Sequence, residues 1–213
     1  MTAGELTLKR LLIASIVAGA AAAALPAAAA ASVTITVEPT PFANSYSPES
    51  ATLDLGDGSF DWQWGPGGAG SEDLHNVVQG TGAGEPLFDS GDAVRNVPGG
   101  FHVTASAGSF PYFCEIHFGM VGEVAVRPVG EAKGKAVRLS WASAETTTGN
   151  SFDVRYKAGK KWKSWKKKTK KTAATFGRKG KPVKLGKKAV KVQARSRAGK
   201  TASDWSPAVK LAP

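Results

Sequence analysis

From residue 33 almost to the end of the chain, apolar residues recur at every second position in short runs broken by glycine, proline and aspartate. Val33-Thr-Ile-Thr-Val37, Ala51-Thr-Leu-Asp-Leu55 and Phe101-His-Val-Thr-Ala105 alternate with period two, as a strand with one buried face does. Phe60-Asp-Trp-Gln-Trp64 puts three aromatics on one strand face, which assigns Trp62 and Trp64 to a core. Gly56-Asp57-Gly58, the Gly-rich loop 65–70 and Ala107-Gly108-Ser109 supply turns. Val77 and Val78, Phe110-Pro-Tyr-Phe-Cys114 and Val121 to Val126 complete the set, and this spacing predicts a β-sandwich over 32–128.

The pattern then repeats. Ala136-Val-Arg-Leu-Ser-Trp141, Phe152-Asp-Val-Arg-Tyr156, Val190-Lys-Val-Gln-Ala194 and a last strand, Ala208 to Leu211, predict a second sandwich over 136–213. Residues 129–135, with Gly130, Gly134 and a proline just before, read as the linker. The expected class is all-β: two sandwiches in tandem.

Residues 1–31 have a different character. Lys9 and Arg10 precede the apolar run Leu11 to Leu25, and an alanine tract follows Pro26, which is the order of a secretory signal. An uncleaved membrane anchor is the competing reading of an apolar run. Cleavage near Ser32 would leave an exported chain, extracellular or periplasmic, with no transmembrane segment.

Charge sharpens the division. Residues 33–128 carry two basic residues against twelve acidic, a net of −10; residues 129–213 carry twenty-four against four, a net of +20. The overall +11 therefore conceals two modules of opposite sign. Within the second, Lys160, Lys161, Lys163, Lys166, Lys167, Lys168, Lys170 and Lys171 crowd around Trp162 and Trp165. Such a run is either a solvated hairpin whose tryptophans pack on a sheet or a grip on an acidic partner: a cell-wall polymer, nucleic acid or an acidic protein, the first module included.

Candidate chemistry concentrates in Cys114-Glu-Ile-His117-Phe-Gly-Met120, which holds the one cysteine of the chain. A single cysteine in an exported chain forms no internal disulfide, so it is a free thiol, an intermolecular bridge or a metal ligand. Thiolate, imidazole and thioether within seven residues are the donors that copper prefers. A blue-copper site needs a second histidine, for which His75 in Leu74-His75-Asn76-Val77 is the candidate. His102, opposite Phe101, Val103 and Ala105 on its strand, reads as a solvated position. A buried structural cysteine and a gap-filling methionine are the plainer readings of each residue alone.

Together, His-Asn-Val at 75–77, Phe-Pro-Tyr-Phe-Cys at 110–114, Cys-x2-His-x2-Met at 114–120 and Met-Val-Gly-Glu-Val-Ala-Val at 120–126 resemble the cupredoxin family, with the short ligand loop of its amicyanin-like members. The resemblance implies a Greek-key sandwich with one type 1 copper held by His75, Cys114 and His117, and Met120 as a long axial contact. It also implies that Asn76 ties the two ligand loops together, and that the edge of His117, beside Phe118, is the electron's exit through an apolar patch. The second half resembles a fibronectin type III module of immunoglobulin-like form, from its Trp141 strand, Phe152–Tyr156, and Val-Gln-Ala-Arg-Ser-Arg-Ala-Gly at 192–199 before Ser-Asp-Trp-Ser-Pro. It departs at Lys188, where the family carries a tyrosine that closes a corner.

These features point to a secreted electron carrier with an unidentified redox partner and a basic module for attachment. No substrate-turnover constellation is left once the three histidines are assigned, so no enzyme is expected. The alternatives are copper storage or delivery outside the cell without electron transfer, and a polyanion-binding surface protein whose copper site is secondary.

Overall fold

A computed structural model describes residues 32–80, 85–133, 136–157, 159–178, 181–182 and 190–211. The expected signal segment and Lys188 lie outside the described residues. Strands are β1 (Val33–Val37), β2 (Tyr46–Ser47), β3 (Ser50–Asp54), β4 (Phe60–Trp64), β5 (Val78–Gln79), β6 (Phe101–Val103), β7 (Gly108–Phe113) and β8 (Val121–Arg127). They form two four-stranded sheets, β2-β1-β4-β6 and β3-β8-β7-β5. β1 runs parallel to β4 and β3 parallel to β8, while the remaining pairs are antiparallel.

The alternation that predicted the strands fills the core between these sheets. Ile35, Val37, Phe60, Trp62, Trp64, Phe110 and Tyr112 are buried, and Trp62 and Tyr46 meet the Tyr112 ring edge-on at 5.2 and 4.8 Å. Truncating an aromatic of this kind costs about 3–5 kcal/mol.

The second sandwich comprises β9 (Val129–Lys133), β10 (Ala136–Ser140), β11 (Ser151–Lys157), β12 (Trp162–Thr169), β13 (Ala173–Thr175), a short ribbon of β14 (Gly177–Arg178) and β15 (Lys181–Pro182), β16 (Val190–Ala198), β17 (Thr201–Ala202) and β18 (Val209–Leu211). One sheet is β13-β10-β9; the other is β12-β11-β16-β17, with β18 also on β16. Leu139, Trp141, Val154, Val192 and Ala194 are its buried centre. The chain is thus all-β, in two sandwiches.

The linker reading of 129–135 needs correction. Residues 129–133 are strand β9, paired with β10 from Val129–Ser140 to Lys133–Ala136, so Pro128 alone separates β8 from β9. Proline cannot donate to the ladder and ends the pairing there. Gly130, which suggested flexibility, sits in a packed strand: a Cβ there would lie 2.7 Å from the Leu211 side chain, which would have to shift.

The modules also share structure at residues 104–109. Ala107 is buried in the second core and donates its N–H to the Trp141 carbonyl at 2.8 Å. Ser109 and Asp204 exchange backbone hydrogen bonds of 3.1 and 2.9 Å, and the Ser106 N–H donates to Thr148 Oγ1 at 2.9 Å. These contacts are uncharged, despite the opposite net charges of the modules.

Candidate metal centre

The tight return of the chain between β7 and β8 places the first donors. The Cys114 N–H donates to the Met120 carbonyl at 3.0 Å and the Met120 N–H to the His117 carbonyl at 3.2 Å. His75 lies in the segment before β5, where it exchanges backbone hydrogen bonds of 2.9 and 3.0 Å with Val94, and its carbonyl accepts from Trp64 Nε1 at 3.2 Å. Trp64 is therefore both core and anchor.

Three side-chain donors converge. His75 Nδ1 and His117 Nδ1 are 3.1 Å apart and lie 4.0 and 3.6 Å from Cys114 Sγ. Bonds of roughly 2.0–2.3 Å from imidazole and thiolate to a first-row metal span separations of this size. Met120 is buried in the same core cluster as Cys114. His75 is wholly buried and Cys114 nearly so, whereas His117 keeps 15% of its side chain exposed.

Carboxylates hold the far side of both rings. Glu38 Oε2 lies 2.9 Å from His75 Nε2, and Asp73 Oδ2 lies 3.3 Å from His117 Nε2. Glu38 is itself buried; burial alone would raise its acid, but the Asp73 and Phe42 amides, then His75, hold it low and ionised. Glu38 faces Nε2 of His75, which leaves Nδ1 turned toward Cys114 and His117. Asp73 stands 3.3 Å behind His117 at the exposed edge of the site. Its carboxyl is held low by the Leu74 amide first, with His117 contributing. Two ring nitrogens and a sulfur then face one another at close range, a donor set that a cation between them would satisfy.

The thiol matches. Burial raises the Cys114 pKa, but hydrogen bonding from His75, the Asn76 and Ile116 amides and His117 outweighs it and brings it to about 6. The shift favours the thiolate, the form that binds metal. Asn76 links the loops around it: its Nδ2 donates to Glu115 Oε2 at 2.7 Å and its Oδ1 accepts from the Glu115 N–H at 2.9 Å. The Asn76 carbonyl accepts from Tyr46 Oη at 2.6 Å.

Glu38 and Asp73 escaped the sequence reading. Glu38 follows β1, where period two points it outward. A backbone turn to φ 56° instead swings it inward, and nothing in the residue pattern announces that turn. Asp73 lies two residues before His75, and its acidity was visible but not its reach to His117. The face around His117 is apolar on one side, with Ile116 and Phe118 exposed, and acidic on the other. His102 is exposed yet held, with Nδ1 2.9 Å from Asp61 and Nε2 2.7 Å from the Gly99 carbonyl.

In the second module the lysine run splits. Lys160, Lys161, Lys163, Lys167, Lys168, Lys170 and Lys171 are exposed, while Lys166 lies over the Trp165 ring at 5.4 Å. Trp165 packs inward on Trp141 and Phe176; Trp162 stays outside, under the Arg155 guanidinium.

No family model matches the chain, and no curated protein matches it. Among solved structures, it is similar to a purple cupredoxin from Nitrosopumilus maritimus, at 22% identity over 44% of this chain and 97% of the other, with a TM-score of 0.33. It is also similar to a copper-containing nitrite reductase from Thermus scotoductus, at 20% identity over 45% of this chain and 22% of that one, with a TM-score of 0.32. No helix among the described residues is long and apolar enough to cross a membrane.

Proposed function

We propose that the first module is a cupredoxin-type electron carrier, holding one type 1 copper through His75, Cys114 and His117 with Met120 as the axial neighbour. The observation that carries this reading is the convergence of two Nδ1 nitrogens and one sulfur, with a carboxylate behind each imidazole. Copper in such a donor set supplies a one-electron couple. The chain supplies rigidity: buried Glu38 and Trp64 hold His75, and Asn76 joins its loop to that of Cys114. Little then has to move when the charge at the site changes. The exposed edge of His117, between Phe118 and Asp73, is the exit for the electron. The role is carriage rather than turnover of a substrate, in an exported protein whose basic, fibronectin type III-like second module attaches it to an anionic surface or partner.

Visible absorption and EPR spectra of the copper-loaded protein beside Cys114→Ala test the site. An intense thiolate-to-copper band with narrow hyperfine splitting, absent from the variant, is expected. A pale signal with broad splitting, unchanged by the substitution, would place copper elsewhere and leave Cys114 structural.

A further inference from the structure

The outer face of the second module carries a stack that the lysine run alone does not reveal. The Arg155 guanidinium lies 4.0 Å from the Trp205 ring centre and 4.6 Å from that of Trp162, and Arg195 lies 4.6 Å from Trp205. Trp162, Arg155, Trp205 and Arg195 thus alternate across β12, β11 and β16. Gln193 Oε1 accepts from Arg155 Nε and Nη2 at 3.0 and 2.7 Å and fixes the plane of that guanidinium. The same face forms a groove of about 530 Å³ lined by Arg155, Arg195, Arg197, Lys163, Lys167 and Lys168. Its one carboxylate, Asp153, is buried and already spent: it accepts from Arg195, Arg197 and the Lys168 amide.

We infer that this groove binds a linear phosphodiester polymer through the oxygens of its backbone. The proposal deepens the attachment role given above to the second module, and rests on it. Cations spread over three strands, with neighbouring strands about 4.8 Å apart, match a chain of charges rather than one ion. Guanidinium groups already stack on both tryptophan rings, Arg155 on Trp162 and Arg155 with Arg195 on Trp205, which leaves less of either ring open to a base or sugar. A protein partner would need an apolar centre. Among the described residues the exposed large hydrophobics, Phe42, Leu74, Ile116, Phe118 and Val121, all belong to the first module. A phosphodiester chain carries its charge on the backbone itself, and planar guanidinium edges pair with such oxygens in bidentate fashion. The plainer role of a lysine-rich β12, at the edge of its sheet, is to prevent edge-to-edge pairing. That role accounts for Lys160 to Lys171 but not for Arg155 on an inner strand, which has no carboxylate partner among the described residues, whereas Arg195 and Arg197 pair with Asp153.

The test uses fluorescence anisotropy of the full chain with a labelled abasic phosphodiester 12-mer, a dT oligonucleotide of equal length, and polyaspartate as competitor. The two phosphodiesters should bind within about 3-fold of each other and polyaspartate at least about 10-fold more weakly. Lys163→Gln with Lys167→Gln should lower the slope of log K against log salt by about two. Arg155→Lys keeps the charge and should lose affinity while keeping the slope. Each variant is first shown to keep the visible band of the copper site and the near-ultraviolet tryptophan signal. Binding of the abasic chain that is indifferent to all three substitutions would overturn the groove while leaving anionic attachment standing. Absence of binding to every anion at low salt would overturn both. A 10-fold preference for dT would make the face a base reader, and polyaspartate binding as tightly would make it a protein dock; either contradicts the proposal.

Discussion

His75 is wholly buried, with one ring nitrogen against a carboxylate and the other facing a thiolate; Arg155 lies on an outer sheet face between two indole rings. Both side chains are oriented by neighbours, but by different means. In the first module His75 and Cys114 are desolvated, and the cost of burying Glu38 is met by two amide hydrogen bonds and an imidazole. In the second, the charges stay at the water boundary, where aromatic faces and an amide fix direction without removing solvent. A site that must present one geometry to a small ion is built inside. A site that meets a long partner by charge is built outside and tolerates more substitution.

The contrast breaks first where the modules are joined. A Cβ at Gly108 would lie 2.5 Å from Ser203 Oγ and 2.8 Å from the Phe110 ring, in a strand that begins against the second module and leads to Cys114. Gly108→Val should destabilise the protein by about 1–3 kcal/mol. Calorimetry should show the transitions of both modules moving down together; movement of one alone would mean that they are energetically separate despite the shared strand. Smaller is the effect of Glu38→Gln, which keeps an acceptor but removes its charge. A copper-chelator competition titration should report affinity lower by roughly 10–100-fold with the visible band retained. Unchanged affinity would deny Glu38 its part in holding His75.

The smallest effect is at the pair His102 and Asp61, far from the metal donors. Hydrogen bonding to Asp61 raises the His102 pKa, and partial burial opposes this less strongly. Burial raises Asp61, but His102 and Ser59 bring it below its ordinary value. The imidazole contribution is full below the ordinary histidine value of about 6.5 and is lost as pH rises through the raised one. The carboxylate contribution is present above about 3.9 and is lost as pH falls through the lowered one. With His102 more than half exposed, screening limits the whole to about 1 kcal/mol or less. Asp61→Asn should therefore lower denaturant stability near pH 5 and change it little at pH 9. An equal loss at both pH values would point to packing instead.

Much of this was legible in residue order. Period-two alternation located β1, β4 and β8, and the chemistry of the lone cysteine picked out the three donors that the fold brings together. What escaped depends on backbone direction. Glu38 faces inward with its φ at 56°, and residues 129–133 form a strand through their pairing with β10. Trp162 and Trp165 share one lysine run, yet one is core and the other lies under Arg155, a difference set by strands distant in sequence. Charge totals predicted attraction between the modules; their contact is made instead by Ala107, Ser106, Ser109 and their neighbours, which no charge count locates.

The central claim is that the site holds one geometry through a change of oxidation state. Film voltammetry of the copper-loaded protein tests it most directly. A reversible one-electron wave, stable over repeated cycles and lost in Cys114→Ala, is the expected result. An irreversible reduction that releases copper would contradict electron carriage and make the first module a vehicle for the metal itself.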